Sequence, residues 1–167
     1  MTAKDFIKQY KPFALETERK TGISYLFTLS QAALETGWAK SVPGNMFFGV
    51  KASKDTPANK KQLLNTTEVL NAPNLGYKFP QVMSIYQLPN GKYKYEVKDW
   101  FRKYDTPEEC FTDHAQFFFK NKRYAKALEV KDNPYRFAEE VAKAGYATAP
   151  DYAGSLKKLI KMIESYE

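Results

Sequence analysis

The sequence predicts an α+β fold, a mostly helical body with a β-hairpin region inserted at one side. Apolar residues recur at helical spacing near both ends of the chain. Between these ends, residues 61–98 are β-prone and contain Pro89-Asn90-Gly91, a typical hairpin turn. The length of 167 residues fits one domain, and neither a repeat nor a low-complexity linker interrupts it. We therefore expect residues 1–167 to form a single domain.

Three helical segments are predicted before the hairpin region. Thr2 and Asp5 resemble a capping box that opens the first, and Pro12 is expected to begin a second segment running to Thr21. A third helix is expected from Ile23 to Thr36, stopped by Gly37. One face of this helix is small and polar, and we expect it to line a groove; its residues are Thr28, Gln31, Ala32 and Glu35.

The chain after the hairpin region is predicted to be helical again. Thr106 and Pro107 indicate a capped helix start. A further helix is expected from Pro134 to Ala144 with a stop at Gly145, and a last one from about Asp151.

A net charge of +7 favours polyanionic partners, which include nucleic acid, an anionic membrane and a cell wall carrying carboxylates or phosphates. No arginine-rich run or zinc-finger spacing indicates DNA, so a nucleic-acid partner is not expected. No stretch approaches the ~20 apolar residues of a membrane span. The start, MTAKDFIKQYKPF, lacks the apolar core of a signal peptide, which leaves the route of delivery open.

The residue inventory disfavours several chemistries. With His114 as the one histidine and Cys110 as the one cysteine, we expect no metal site, no disulfide and no cofactor. GNMFFG lacks the Lys-Ser/Thr that would complete a phosphate-binding loop, and no G-x-S-x-G is present. Cys110 and His114 are four residues apart, which permits a Cys-His amidase; a buried thiol beside a structural histidine is the favoured interpretation.

Glu35 carries a distinct signal. Its carboxylate falls in the last turn of an apolar helix, where the negative end of the helix dipole disfavours ionisation. Flanking Leu34 and Trp38 would desolvate it in a cleft, and both effects raise a Glu pKa above its reference of ~4.3. A general acid of a glycosidase has this property because it must stay protonated near neutral pH.

Five blocks in order extend this interpretation: SQAALETGWAKS, NMFFGVKA, TTEVL, WFRKYDT, and RYAKAL with AGYATAPDYAGSLKKLI. Spanning about Thr21 to Ile163, they resemble the peptidoglycan N-acetylglucosaminidase family, glycoside hydrolase family 73, which includes flagellar and autolysin-type domains. The resemblance implies a lysozyme-like helical body and hydrolysis of the β-1,4 bond after N-acetylglucosamine in cell-wall glycan strands, in the periplasm or outside the cell. We expect a monomer.

The resemblance also implies site residues. Glu35 occupies the position of the family's essential acid, and Glu68 that of the second, hairpin-borne carboxylate; Glu96 is a reserve candidate. Gln31 is also predicted to contact sugar, and four further residues are predicted either to contact sugar or to pack or cap the structure: Trp38, Asn45, Phe48 and Tyr146. Ala39 and Ala149 depart from the family, which commonly has Gly and Asp at these positions.

Several alternatives stay open at this stage. Glu68 could activate water or attack the sugar, or the substrate's own 2-acetamido oxygen could be the nucleophile. A muramidase or lytic transglycosylase reaction is compatible with the same fold. A non-catalytic glycan-binding module and a nucleic-acid-binding protein are the rivals from other classes.

Overall fold

The computed structural model describes residues 1–167, and the chain divides into two compact units. The helical unit comprises Met1–Phe48 and Tyr104–Glu167, and the sheet unit comprises Gly49–Lys103. The predicted α+β class, mostly helical with an inserted β region, is confirmed. The assignment of residues 1–167 to one domain stays a prediction.

The helical unit contains six α-helices. Their bounds are α1 Ala3–Thr21, α2 Tyr25–Thr36, α3 Pro107–Lys120, α4 Ala125–Leu128, α5 Pro134–Lys143 and α6 Tyr152–Glu164. Predicted helix signals act as expected at several ends. The side chain of Thr106 accepts from the Glu109 backbone N–H at the start of α3, and Gly37 and Gly145 adopt left-handed φ values of 60° and 85° at the ends of α2 and α5.

The predicted break at Pro12 is wrong, because α1 continues through it. Pro12 lies on the exposed side, whereas buried residues follow helical spacing on both sides of it: Phe6, Ile7, Tyr10, Ala14, Thr17 and Thr21. A proline inside a helix costs about 3 kcal/mol. Burying one large apolar side chain stabilises by about 1.5–3 kcal/mol, so this stripe outweighs the proline.

Two groups of aromatic and aliphatic side chains form the core of the helical unit. One joins α1, α2 and α3 and includes Phe6, Tyr10, Leu29 and Phe111. The other joins α2 and α3 to the C-terminal helices and includes Phe27, Phe118, Phe137, Leu156 and Ile160. Helix α2 contributes to both, which explains why all of its residues from Phe27 to Ala33 are buried.

The sheet unit is a three-stranded antiparallel sheet in the order β1-β3-β2, with β1 Lys61–Leu70, β2 Gln81–Gln87 and β3 Tyr93–Arg102. The predicted Asn-Gly turn joins β2 to β3, with Gly91 at φ 86° and the Asn90 side chain accepting from the Lys92 N–H at 3.0 Å. Side chains alternate between two faces of the sheet.

Residues 71–80 pack on one face of this sheet. The Tyr95 hydroxyl donates to the Ala72 carbonyl and accepts from the Leu75 N–H, and Phe79 lies against the Tyr95 ring. Tyr95 and Val97 are consequently fully buried. We call this the covered face and the opposite one the open face. None of the helices has the length and apolar character needed to cross a bilayer.

Candidate active site

Glu35 lies in the last turn of α2, where its side chain reaches solvent. Its Oε1 accepts a hydrogen bond from the Tyr152 hydroxyl at 3.4 Å. Partial burial raises the pKa of the Glu35 carboxyl, and the hydrogen bond from Tyr152 opposes this only in part. The direction is the one expected from the sequence, and it favours the protonated acid.

Tyr152 connects Glu35 to the interior of the helical unit. It is 6% exposed, and its hydroxyl accepts from the side-chain amide of Gln31 at 3.0 Å. Gln31 is itself 1% exposed. Gln31 precedes Glu35 by one helical turn, so the two side chains meet the same tyrosine from one face of α2. This geometry favours a positioning role for Gln31; its predicted contact with sugar stays a prediction.

Tyr146 and His114 form a second layer behind Tyr152. The rings of Tyr146 and Tyr152 are stacked with centroids 5.6 Å apart, and the Tyr146 hydroxyl lies 2.9 Å from His114 Nε2. Phe48 stacks on the His114 ring at 3.9 Å. Burial lowers the pKa of His114 to about 3, so the imidazole is neutral at physiological pH. Tyr146 and Phe48 are half-buried and retain some exposed surface.

Trp38 is held by an unusual turn directly after Glu35's helix. Gly37, Trp38 and Ala39 have φ values of 60°, 62° and 59°, all in the left-handed region. The Thr36 side chain accepts from the Ala39 N–H at 2.8 Å, which fastens the turn. The Trp38 ring packs edge-on against Phe6 at 5.3 Å and is half-buried. The sequence did not indicate this conformation, because tryptophan and alanine rarely adopt positive φ.

Asn45 fastens the loop that follows. Its backbone is left-handed, with φ 56°, and its side-chain amide donates to the Tyr104 carbonyl at 3.0 Å. This matches the loop-capping alternative for Asn45, while the predicted acetamido contact stays a prediction. Cys110 is buried and accepts from the Phe47 N–H; burial raises the pKa of its thiol to about 12. Such a thiol lacks the thiolate that an amidase needs.

Glu68 lies on the covered face of the sheet unit, opposite Tyr95 in the strand register. Its carboxylate pairs with the Lys51 ammonium, which also lies 3.1 Å from Asp99. Burial alone would lower the pKa of Lys51, but hydrogen bonds to Glu68 and Asp99 outweigh it and raise the pKa. The Lys51 ammonium thus lies between the carboxylates of Glu68 and Asp99 and is paired with both.

Glu96, the reserve candidate, lies on the other face. It faces Thr67 across the strands and accepts from the Thr67 hydroxyl at 2.9 Å, with Lys94 Nζ at 3.7 Å. Glu68 and Glu96 therefore point to opposite sides of the sheet.

Sequence reasoning missed two residues, Tyr152 and Lys51. Both stand inside the quoted blocks, Tyr152 in AGYATAPDYAGSLKKLI and Lys51 in NMFFGVKA. A tyrosine at the first turn of an amphipathic helix is most simply interpreted as core. Its hydroxyl becomes informative only when the fold brings it to Glu35.

A fold of this kind occurs in a known glycoside hydrolase. The C-terminally truncated glycoside hydrolase domain of FlgJ from Salmonella typhimurium superposes with a TM-score of 0.72 at 28% identity, covering 98% of this chain and 99% of that one. The glucosaminidase family, described as mannosyl-glycoprotein endo-beta-N-acetylglucosaminidase, matches residues 11–167. The chain belongs to this family, which confirms the resemblance seen in the sequence.

Two relatives illustrate the range of the family. A peptidoglycan hydrolase, FlgJ of Pseudomonas aeruginosa, is 29% identical and covers 99% of this chain. An exo-glucosaminidase, LytG of Bacillus subtilis, is 32% identical over 84% of it. The chain spans 38% and 43% of these proteins, less than half of each. These relatives are glycoside hydrolases by name.

Proposed function

We propose that this chain hydrolyses the β-1,4 glycosidic bond after N-acetylglucosamine in peptidoglycan glycan strands, with Glu35 as general acid. The observation that carries the proposal is the state of Glu35: a solvent-reaching carboxyl whose pKa is raised by partial burial. Such a group keeps its proton at a pH where an ordinary glutamate has lost it, and it can donate that proton to the leaving oxygen.

Tyr152 and Gln31 position the acid in this mechanism. The amide of Gln31 fixes the Tyr152 hydroxyl, whose own proton then points at Glu35 Oε1. After proton donation, the new carboxylate accepts this hydrogen bond, which stabilises the charge that develops on Glu35 in the transition state. The long distance of 3.4 Å suits a bond that tightens as the charge appears.

Glu68 is proposed as the second carboxylate, with two distinguishable roles. As a base or nucleophile it would act directly on water or on the sugar; with a substrate-assisted route it would only contribute charge. Its pairing with Lys51 supports the electrostatic role, because an ammonium on the carboxylate makes it a weaker nucleophile. Adding azide to Glu68→Gln separates the two roles. If the rate recovers and a glycosyl azide forms, the missing carboxylate acts at the reacting carbon. If the rate does not recover, the substrate-assisted route is supported.

The proposed place of action is the cell wall, in the periplasm or outside the cell, with a monomer as the working form. Peptidoglycan carries carboxylates, which suits a chain with a net charge of +7. The relatives named peptidoglycan hydrolases support this substrate. Neither nucleic acid nor membrane insertion is part of the proposal.

The test is digestion of purified peptidoglycan by the wild type, by Glu35→Gln and by Glu16→Gln, with reduced fragments identified by mass spectrometry. Glu16 is an ion-paired glutamate of α1, so its variant controls for the loss of one carboxylate. We expect fragments ending in reduced N-acetylglucosamine from the wild type and Glu16→Gln, and none from Glu35→Gln.

Other products would correct the proposal in defined ways. Reduced muramic acid ends would indicate a muramidase, and anhydro ends a lytic transglycosylase. Binding without any cleavage, unchanged in Glu35→Gln, would indicate a glycan-binding module and contradict the proposal.

A further inference from the structure

The open face of the sheet unit has a composition unlike an ordinary solvated strand surface. The strand register places alternate residues of β1 on this face: Lys61, Leu63, Asn65, Thr67 and Val69. Their partners on β3 are, in the same order, Arg102, Trp100, Lys98, Glu96 and Lys94. Tyr86 of β2, the partner of Lys94, lies on the same face. Four large apolar side chains of this face are more than a third exposed, namely Leu63, Val69, Tyr86 and Trp100. Residues 71–80 pack on the other face and leave this one uncovered.

These exposed side chains form two similar clusters at opposite ends of the sheet. At one end Lys61 Nζ lies 4.7 Å from the centre of the Trp100 ring, and Leu63 is the cross-strand partner of Trp100. At the other end Lys94 Nζ lies 5.6 Å from the Tyr86 ring, and Val69 is the partner of Lys94. Each cluster thus combines an aromatic ring, an aliphatic side chain and an ammonium group.

The spacing of the clusters suits a linear polymer. Positions 94 and 100 of β3 are separated by roughly 20 Å at ~3.3 Å per residue. The stretch between them is polar, with Asn65, Thr67 and Lys98. A chain of several sugar units could therefore contact both rings while hydrogen-bonding between them.

The open face is predominantly cationic and therefore favours a polymer that carries negative charges. Four of the residues named above are cationic and one, Glu96, is acidic. Such cations attract carboxylates and phosphates alike, and the relatives named peptidoglycan hydrolases favour the polymer that carries carboxylates. A polymer with apolar sugar faces and spaced carboxylates complements the exposed rings and ammonium groups of this face.

We propose that the open face is a docking surface for the carboxylate-bearing glycan strands of peptidoglycan, outside the residues assigned to bond cleavage. The proposal rests on the proposed function. The face that carries Glu68 is opposite to it, so one sheet presents a catalytic candidate on one side and a wall-binding surface on the other. Docking would hold the enzyme on an insoluble substrate between cleavage events.

The experiment measures two quantities on the same proteins: binding to purified insoluble peptidoglycan by co-sedimentation, and cleavage of short soluble glycan fragments. The aromatic variant is Tyr86→Ala with Trp100→Ala, and the charge variant is Lys61→Gln with Lys94→Gln. Phe119→Ala is the matched control, because Phe119 is exposed to 41% and also has an ammonium nearby, Lys131 at 5.4 Å.

We expect both open-face variants to bind insoluble peptidoglycan about tenfold more weakly, because each removes two groups proposed to contact the glycan, one in each cluster, at roughly threefold each. Cleavage of the short fragments should be unchanged, and both variants should still unfold cooperatively, since none of these side chains belongs to the buried core. The salt dependence of binding should also be weaker for the charge variant, which keeps Lys98 and Arg102. Phe119→Ala should behave like the wild type.

Three results would overturn the proposal. The first is equal binding by the open-face variants and the wild type. The second is equal binding to peptidoglycan whose carboxylates have been amidated, and the third is loss of DNA binding with retained peptidoglycan binding. A wild type that binds but never cleaves would instead overturn the proposed function, so the two failures are distinguishable.

Discussion

Removal of one oxygen atom tests the hydrogen-bonded positioning of Glu35. Tyr152→Phe keeps the ring, its burial and its stacking on Tyr146, but deletes the hydroxyl that accepts from Gln31 and donates to Glu35. The Gln31 amide then loses its acceptor in a site that is 1% exposed. A buried donor left unsatisfied costs about 1–3 kcal/mol, which for a chain of this length lowers the melting temperature by about 2–4 °C per kcal/mol.

The same variant has a predicted effect on activity. The hydrogen bond from Tyr152 favours the carboxylate and so lowers the pKa of Glu35 against the effect of burial. Without it the pKa of Glu35 rises further, and the alkaline limb of the pH–rate profile moves to higher pH. The maximal rate falls at the same time, because the developing charge on Glu35 is less well stabilised.

Urea unfolding and a pH–rate profile on purified peptidoglycan measure both effects. Gln31→Met and the double variant Gln31→Met/Tyr152→Phe complete a cycle: replacing both partners by apolar groups should cost less than the sum of the single changes. Additive costs, or an alkaline limb that moves to lower pH in Tyr152→Phe, would refute the arrangement described for Gln31, Tyr152 and Glu35.

Three further predictions concern single ionisable groups. Because the pKa of Glu35 is raised in the folded state, the contribution of its protonated form to stability is lost as the pH rises through that pKa. Glu35→Gln should therefore be more stable than the wild type at neutral pH and should lose this advantage in acid. Urea unfolding at several pH values measures this difference. Burial lowers the pKa of His114 from 6.5 to about 3. The free energy of unfolding of the wild type should therefore decrease as the pH is lowered from 6.5 to 3, by at most about 1.4 kcal/mol per pH unit. In the same titration, His114→Gln should make this slope smaller. The Cys110 thiol, with its pKa raised to about 12, should resist alkylation at pH 8 in native protein and react after denaturation, and rapid native labelling would contradict its burial.

Local signals in the sequence were sufficient for much of the fold. The cap at Thr106, the stops at Gly37 and Gly145 and the turn at Asn90-Gly91 depend on residues within a few positions, and all are confirmed. The prediction at Pro12 fails because the buried stripe on both sides of this residue overrides the local penalty of a proline. The strand order β1-β3-β2 depends on pairing between distant residues, which single-sequence patterns do not encode.

In the candidate site, too, local features could be predicted from the sequence and contacts between distant residues could not. Glu35 can be predicted as the candidate acid because its position at a helix end and the motif around it are local features. The hydroxyl of Tyr152 comes from a residue 117 positions later in the chain. Helical spacing places Gln31 on the same face of α2 as Glu35, but it does not show which helix packs on that face; the contact of Gln31 with sugar stays a prediction. Helix α6 covers that face in this structure.

The left-handed run at Gly37, Trp38 and Ala39 has a consequence for how this sequence can change. A non-glycine residue in this conformation costs roughly 1–2 kcal/mol, and the chain accepts that cost at two successive positions beside its candidate acid. At position 39, glycine would adopt this conformation without strain, whereas alanine makes the backbone stiffer. Glycine would relieve about 1–2 kcal/mol of backbone strain and lose only about 0.4–1 kcal/mol by freeing the unfolded chain, so glycine at position 39 is on balance the more stable choice. A change at this position therefore alters both the stability of the fold and the rigidity with which Trp38 is held.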